Sequence, residues 1–195
     1  MDEIRTFVAI ELDHAFKVAL GQVQARLKSS RVSHIGRWVS PDSIHLTLKF
    51  LGNVPVEQVE EIGQAVDCAC ESLAPFHISL AGLGCFPNVR RPRVIWIGIG
   101  GDLETLARLQ HSVDSELNRI GFKPERRSFK PHLTLARIRD NARPSEREEM
   151  GMLISAEQVA TTVSMTVREV SLMRSDLKPS GAVYSRLAAI RLSEG

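Results

Sequence analysis

Apolar positions along the 195-residue chain keep two rhythms, and these predict its elements. Residues 5–12 are β-branched and aromatic enough for a buried strand. Phe16, Leu20, Val23 and Leu27 then recur at helical spacing and predict a helix over 14–27. A short strand at 37–39 leads through the turn cluster Ser40-Pro41-Asp42-Ser43 into a strand over 44–51, which Gly52-Asn53 is expected to close. Pro55 opens a helix over 56–73, with Glu57, Glu60 and Glu61 near its positive end. Residues 76–83 alternate as a strand does. A second round follows: a strand at 93–99, then a helix over 103–120 capped by Gly100-Gly101-Asp102 and ended by Gly121. Pro131 precedes another strand, Pro144 starts a helix, and 161–173 and 182–192 are strands joined by the turn Lys178-Pro179-Ser180-Gly181. Short strands with few helices, in a repeated order, predict an α+β fold made of a duplicated lobe, both halves packing as one unit around a cleft.

Within that order one signature occurs twice, once in each half: His45-Leu46-Thr47-Leu48 and His132-Leu133-Thr134-Leu135. Side chains alternate across a strand, so each copy sets an imidazole and a hydroxyl on one face and two leucines on the other. The leucines suit a core, and two such strands face to face would surround one small anion with two histidines and two hydroxyls. The competing reading is a pair of Leu-rich buried strands whose histidines are merely hydrogen-bonded; the doubling of the motif weighs against it.

Two imidazoles titrating near neutrality can act together, one as general base and one as general acid. Thr47 and Thr134 can hold non-bridging phosphate oxygens between them. Such a site suits in-line displacement at a phosphodiester, above all a strained cyclic one, and calls for no metal and no covalent intermediate. Metal ligation by the two histidines is disfavoured, since no carboxylate or thiol lies within four residues of either. Gly-x-Ser-x-Gly, Walker and dinucleotide-binding glycine patterns are absent. No role is assigned to His14, His34, His77 or His111.

A net charge of +2, from 25 basic and 23 acidic residues, excludes a strongly basic nucleic-acid coat protein. Local basic clusters remain, at Arg90-Arg91-Pro92-Arg93 and from Lys123 to Lys130, where Arg126 and Arg127 precede the second motif. Each is either a solvated loop or a device that steers a polyanion. Cys68, Cys70 and Cys85 have no ligand spacing, and the first two are expected to be small core residues on a helix. Their odd count and the lack of a signal peptide point to the reducing cytoplasm, and no apolar run approaches a membrane span.

The chain resembles the RNA 2′,3′-cyclic phosphodiesterases, once called 2′-5′ RNA ligases, of the two-histidine phosphoesterase superfamily. The resemblance is carried by Arg5-Thr6-Phe7-Val8-Ala9-Ile10, by residues 38–52, 94–98 and 129–137, by Leu172-Met173-Arg174-Ser175 and by Gly181-Ala182-Val183-Tyr184. It implies one domain over residues 1–195 with two pseudo-symmetric lobes: a bilobal duplicated fold, two antiparallel sheets facing a central groove with helices on the outside. It further implies hydrolysis of an RNA 2′,3′-cyclic phosphate end to a 2′-phosphate; a monomer that needs no cofactor or metal and has no membrane attachment is expected. His45 would donate a proton to the departing 3′-oxygen and His132 would take one from water, with Thr47 and Thr134 binding phosphate. Reversible 2′-5′ ligation and a non-catalytic RNA-end-binding module are the alternatives. Phe50 and Arg137, each five residues past a motif histidine, would contact the terminal nucleotide. An odd offset puts them on the opposite face from the histidine unless a bulge, strong twist or strand end intervenes; otherwise Phe50 is core and Arg137 surface.

Overall fold

The computed structural model describes residues 2–159, 163–178 and 181–193. In chain order these form β1 (Glu3–Glu11), α1 (His14–Lys28), β2 (Gly36–Trp38), β3 (His45–Pro55), α2 (Val59–Cys70), β4 (Phe76–Phe86), β5 (Val94–Gly101), α3 (Leu103–Arg119), β6 (His132–Ile138), α4 (Pro144–Ala156), β7 (Ser164–Val167), β8 (Glu169–Lys178) and β9 (Gly181–Arg191). Two helix starts follow directly from local chemistry. Asp13 accepts the Phe16 N–H at 2.8 Å, and Asp102 accepts the Thr105 N–H at 3.0 Å. Gly121, with φ at 101°, lies in the left-handed region just beyond α3, where a glycine costs least.

The strands build two antiparallel sheets, ordered β3-β1-β8-β9 and β2-β6-β5-β4-β7. Helices α2 and α3 pack on the first, α1 and α4 on the second. The duplication is present in swapped form, because neither sheet belongs to one half of the chain. The last strand of the first half, β4, pairs with β5 in the second sheet, and β8 from the second half returns to pair with β1. Each half therefore completes the other's sheet, and one continuous apolar core runs beneath both.

Several local expectations change. Strand β3 does not stop at Gly52-Asn53 but runs to Pro55, since Gly52, at φ 79°, absorbs a local irregularity while pairing with β1 continues. A 3₁₀ turn, Val56–Gln58, precedes α2, which ends at Cys70. Cys70 and Cys85 are buried, but Cys68 is exposed, as helix geometry requires of a residue two positions from an inward-facing one. Residues 161–162 of one predicted strand, and Pro179 and Ser180 of the predicted turn, lie outside the described residues. No helix among the described residues is long and apolar enough to cross a membrane.

A buried charge joins the two sheets' neighbourhoods. Lys49 of β3, 7% exposed, pairs with Asp114 of α3 and donates to the Lys123 carbonyl at 2.8 Å. Asp114 also accepts the Glu125 N–H at 3.1 Å. Strand β3 thus grips the segment that leads into β6. Removing one partner strands the other's charge away from water. Asp114→Ala is expected to lower unfolding free energy by about 3 kcal/mol, and Lys49→Met by clearly less, in urea titrations. A negligible loss in both variants would mean that the pair does not act as a buried ion pair.

Candidate functional site

The paired signatures begin β3 and β6, and both copies carry the same irregularity. In β3, Thr47 faces Ala9 and Lys49 faces Val8, so Leu48 has no partner. In β6, Thr134 faces Trp96 and Ala136 faces Ile95, so Leu135 has none. An unpaired residue reverses the alternation beyond it. Phe50 therefore sits opposite Phe7, on the face that carries His45 and Thr47, and Arg137 sits opposite Val94, on the face of His132 and Thr134. The bulge also turns Lys49 inward to Asp114. Sequence spacing alone could not place these residues, and the bulges resolve the question in favour of the groove.

All six sequence-predicted residues, His45, Thr47, Phe50, His132, Thr134 and Arg137, line one cavity of about 530 Å³ between the sheets. Phe50 stands 66% exposed there, far too open for a core residue. Among the described residues, the cavity lining holds Arg5 and Arg137 but no carboxylate, and neither arginine has an ion-pair partner. The field is suited to an anion.

Each imidazole is tethered by its own strand. His45 Nδ1–H donates to the Ser43 carbonyl at 3.1 Å, and His132 Nδ1–H donates to the Lys130 carbonyl at 2.7 Å, two residues upstream in both cases. Those carbonyls fix the tautomer and leave each Nε2 as the nitrogen open to a ligand. Aromatic rings hold the imidazoles from the side. Phe7 stacks on His45 with centroids 4.5 Å apart, and Tyr184 meets it edge-on at 4.9 Å. Phe86 meets His132 edge-on at 5.1 Å. Trp96 of β5 lies against Gly84 of β4, where an added Cβ would come within 2.3 Å of the indole; the glycine makes room for that ring.

The surroundings of His45 have an electrostatic gradient. Burial pushes its imidazole below the ordinary value, while the Ser43 carbonyl and the Glu11 carboxylate pull it upward. Glu11 lies directly opposite His45 in the ladder. Burial opposes its ionisation, but hydrogen bonds from Arg186 and Ser171, both 2.6 Å, outweigh burial and hold the carboxyl below its usual range. A further residue that sequence reasoning passed over is Gln24 of α1. Its buried amide donates to the Leu135 carbonyl at 3.0 Å, which also accepts the Val39 N–H at 2.9 Å, and to the Val39 carbonyl at 2.7 Å, and so ties α1 to the bulge of β6. Phe86, Glu11 and Gln24 bear no motif, and Phe7, though inside the resembling stretch 5–10, has no role legible in the sequence; their contacts reveal them.

Among the described residues, no three His, Cys, Asp or Glu side chains gather as a metal-ligand set. A family model described as LigT like Phosphoesterase matches residues 10–96 and again residues 99–184. A Methanothermobacter thermautotrophicus protein named RNA 2′,3′-cyclic phosphodiesterase is 37% identical over 190 residues, spanning 97% of this chain and 100% of its own length. A crystal structure of a Thermus thermophilus protein matches with TM-score 0.79 at 28% identity, covering 98% of this chain and 99% of that one. The apo form of E. coli LigT matches with TM-score 0.79 at 25% identity, covering 100% of both chains.

Glu11→Gln removes the one carboxylate that draws His45 upward. The His45 titration followed by ¹³C-edited NMR is expected to move to still lower pH in that variant. An unmoved titration would show that Glu11 exerts no field on the imidazole.

Proposed function

The chain belongs to the LigT-like phosphoesterase family, and we propose that it hydrolyses RNA 2′,3′-cyclic phosphate ends to 2′-phosphates by acid–base catalysis between His45 and His132. The observation that carries this reading is the pair of imidazoles, each locked through Nδ1, in one cavity whose lining has arginines but no carboxylate. Binding alone would need neither tautomer lock. The M. thermautotrophicus relative's name supports the substrate class.

The cyclic phosphate lies between the two Nε2 atoms. His132 takes a proton from water as its oxygen attacks phosphorus. The bond from phosphorus to the ribose 3′-oxygen breaks, and His45 delivers its proton to that oxygen. The assignment of donor and acceptor follows the family resemblance, and burial of His45 disfavours its imidazolium in the free protein. The bound phosphate supplies the negative charge that lets His45 hold its proton until it is needed. Thr47 and Thr134 hydrogen-bond the non-bridging oxygens, and Arg5 and Arg137 balance the charge that grows in the transition state. Phe50 offers its exposed ring to the terminal base.

We place this reaction in a monomer of the cytoplasm that uses no metal. The free thiols Cys68, Cys70 and Cys85 support a reducing compartment.

With a short RNA ending in a 2′,3′-cyclic phosphate and excess EDTA present, the product is expected to be the 2′-phosphate. His45→Ala and His132→Ala should each cut kcat by about a hundred- to ten-thousand-fold. Near-normal turnover in either variant, or dependence on an added divalent ion, would overturn the mechanism. Thr47→Ala and Thr134→Ala should each cost about 1–3 kcal/mol of transition-state stabilisation. Phe50→Ala is expected to raise KM by the equivalent of about 1–3 kcal/mol with kcat little changed, as loss of a stacked base requires. A fall in kcat alone would place Phe50 elsewhere in the reaction.

A further inference from the structure

A second cavity, about 720 Å³, opens from the groove and shares Thr47, Phe50, His132, Thr134 and Arg137 with it. From those residues it runs past Phe86 and Phe129 and along the segment that carries Arg127 and Lys130. It has the composition of a single-strand track, with cations for a backbone and rings for bases.

The segment is fixed by its own hydrogen bonds. Lys49 holds the Lys123 carbonyl and Asp114 holds the Glu125 N–H. Glu125 accepts the Arg127 N–H at 3.1 Å, and the Lys130 carbonyl accepts from His132. Every one of these bonds uses backbone atoms of the segment or the Glu125 carboxylate. The Arg127 and Lys130 side chains are left exposed, and among the described residues neither has an ion-pair partner. Glu125 is the one carboxylate lining this cavity among the described residues, and backbone amide contact already engages it.

A cyclic mononucleotide has one phosphate, and the histidine groove already supplies Arg5 and Arg137 for it. Arg127 and Lys130 would then face nothing. A longer RNA carries a second phosphodiester on the 5′ side of its terminal ribose, and that chain must leave the groove somewhere. We propose that this second cavity binds the RNA nucleotide immediately 5′ of the cyclic end, the bridging phosphodiester beside Arg127 and Lys130 and the base of that nucleotide against the Phe86–Phe129 wall, so that oligonucleotide ends are preferred over cyclic mononucleotides. This rests on the proposed function and adds a length preference to it.

The test compares kcat/KM for adenosine 2′,3′-cyclic phosphate with that for the dinucleotide ApA ending in the same cyclic phosphate, at several salt concentrations. The dinucleotide is expected to be better by about ten-fold or more at low salt. Arg127→Ala should shrink that ratio several-fold, and the log–log salt slope for the dinucleotide should flatten by about 0.7, as for one lost phosphate contact on a single strand. Equal kcat/KM for the two lengths in the native protein would overturn the inference and leave the proposed function standing. So would a variant that loses equally on both substrates, since that is the behaviour of general attraction. Absence of turnover at either length would overturn the proposed function and this inference with it.

Discussion

An unpaired leucine two residues before the groove's fifth-position side chain, Leu48 in β3 and Leu135 in β6, governs what the groove presents. Each shifts the ladder by one residue, and the residues that follow directly, Lys49 and Phe50 in β3 and Ala136 and Arg137 in β6, change face. Without the shift, Phe50 and Arg137 would point with the core leucines, and Lys49 would point into the groove. With it, His, Thr and the residue five positions on share one surface in both strands. The bulges are also supported from outside: Gln24 adds a second donor to the Leu135 carbonyl, and Lys49, turned inward, finds Asp114. Two strands with the same defect thus yield two matching half-sites.

The swapped connections make those half-sites one rigid unit. Because β4 pairs with β5 and β8 pairs with β1, pulling the two halves of the chain apart would break a strand ladder in each sheet. The Lys49–Asp114 pair adds a tie between β3 and the segment that enters β6. A two-imidazole mechanism depends on this, since an acid and a base must stay on opposite sides of one phosphorus atom. The residues that hold the rings, Phe7, Tyr184 and Phe86, contribute shape and desolvation in place of charge. Burial then sets His45 apart from an ordinary surface histidine.

Strand alternation makes much of this legible in the sequence. Leu46 and Leu133 are buried, as the motif's period requires, and His45, Thr47, His132 and Thr134 do meet in one cavity. Helices α1 and α3 follow from their apolar spacing and from the caps Asp13 and Asp102. The bulges are not legible there, because register belongs to a pair of strands and a single strand's residues do not encode its partner's alignment. For the same reason the swap is hidden: local pattern places strands along the chain but not beside one another. Glu11 and Gln24 escape notice because a lone carboxylate at a strand end and a lone amide on a helix carry no periodic signal. Their importance lies wholly in what the fold sets against them, the His45 ring and the Leu135 carbonyl.

An acid and a base on opposite sides of one phosphorus is a geometric arrangement, and a crystal structure with uridine 2′,3′-cyclic vanadate, a mimic of the five-coordinate transition state, gives its sharpest test. Nε2 of His45 and Nε2 of His132 are each expected within hydrogen-bonding distance of a different apical oxygen, with the Thr47 and Thr134 hydroxyls on equatorial oxygens. Both imidazoles on the same apical oxygen, or either one out of reach, would contradict the two-histidine mechanism.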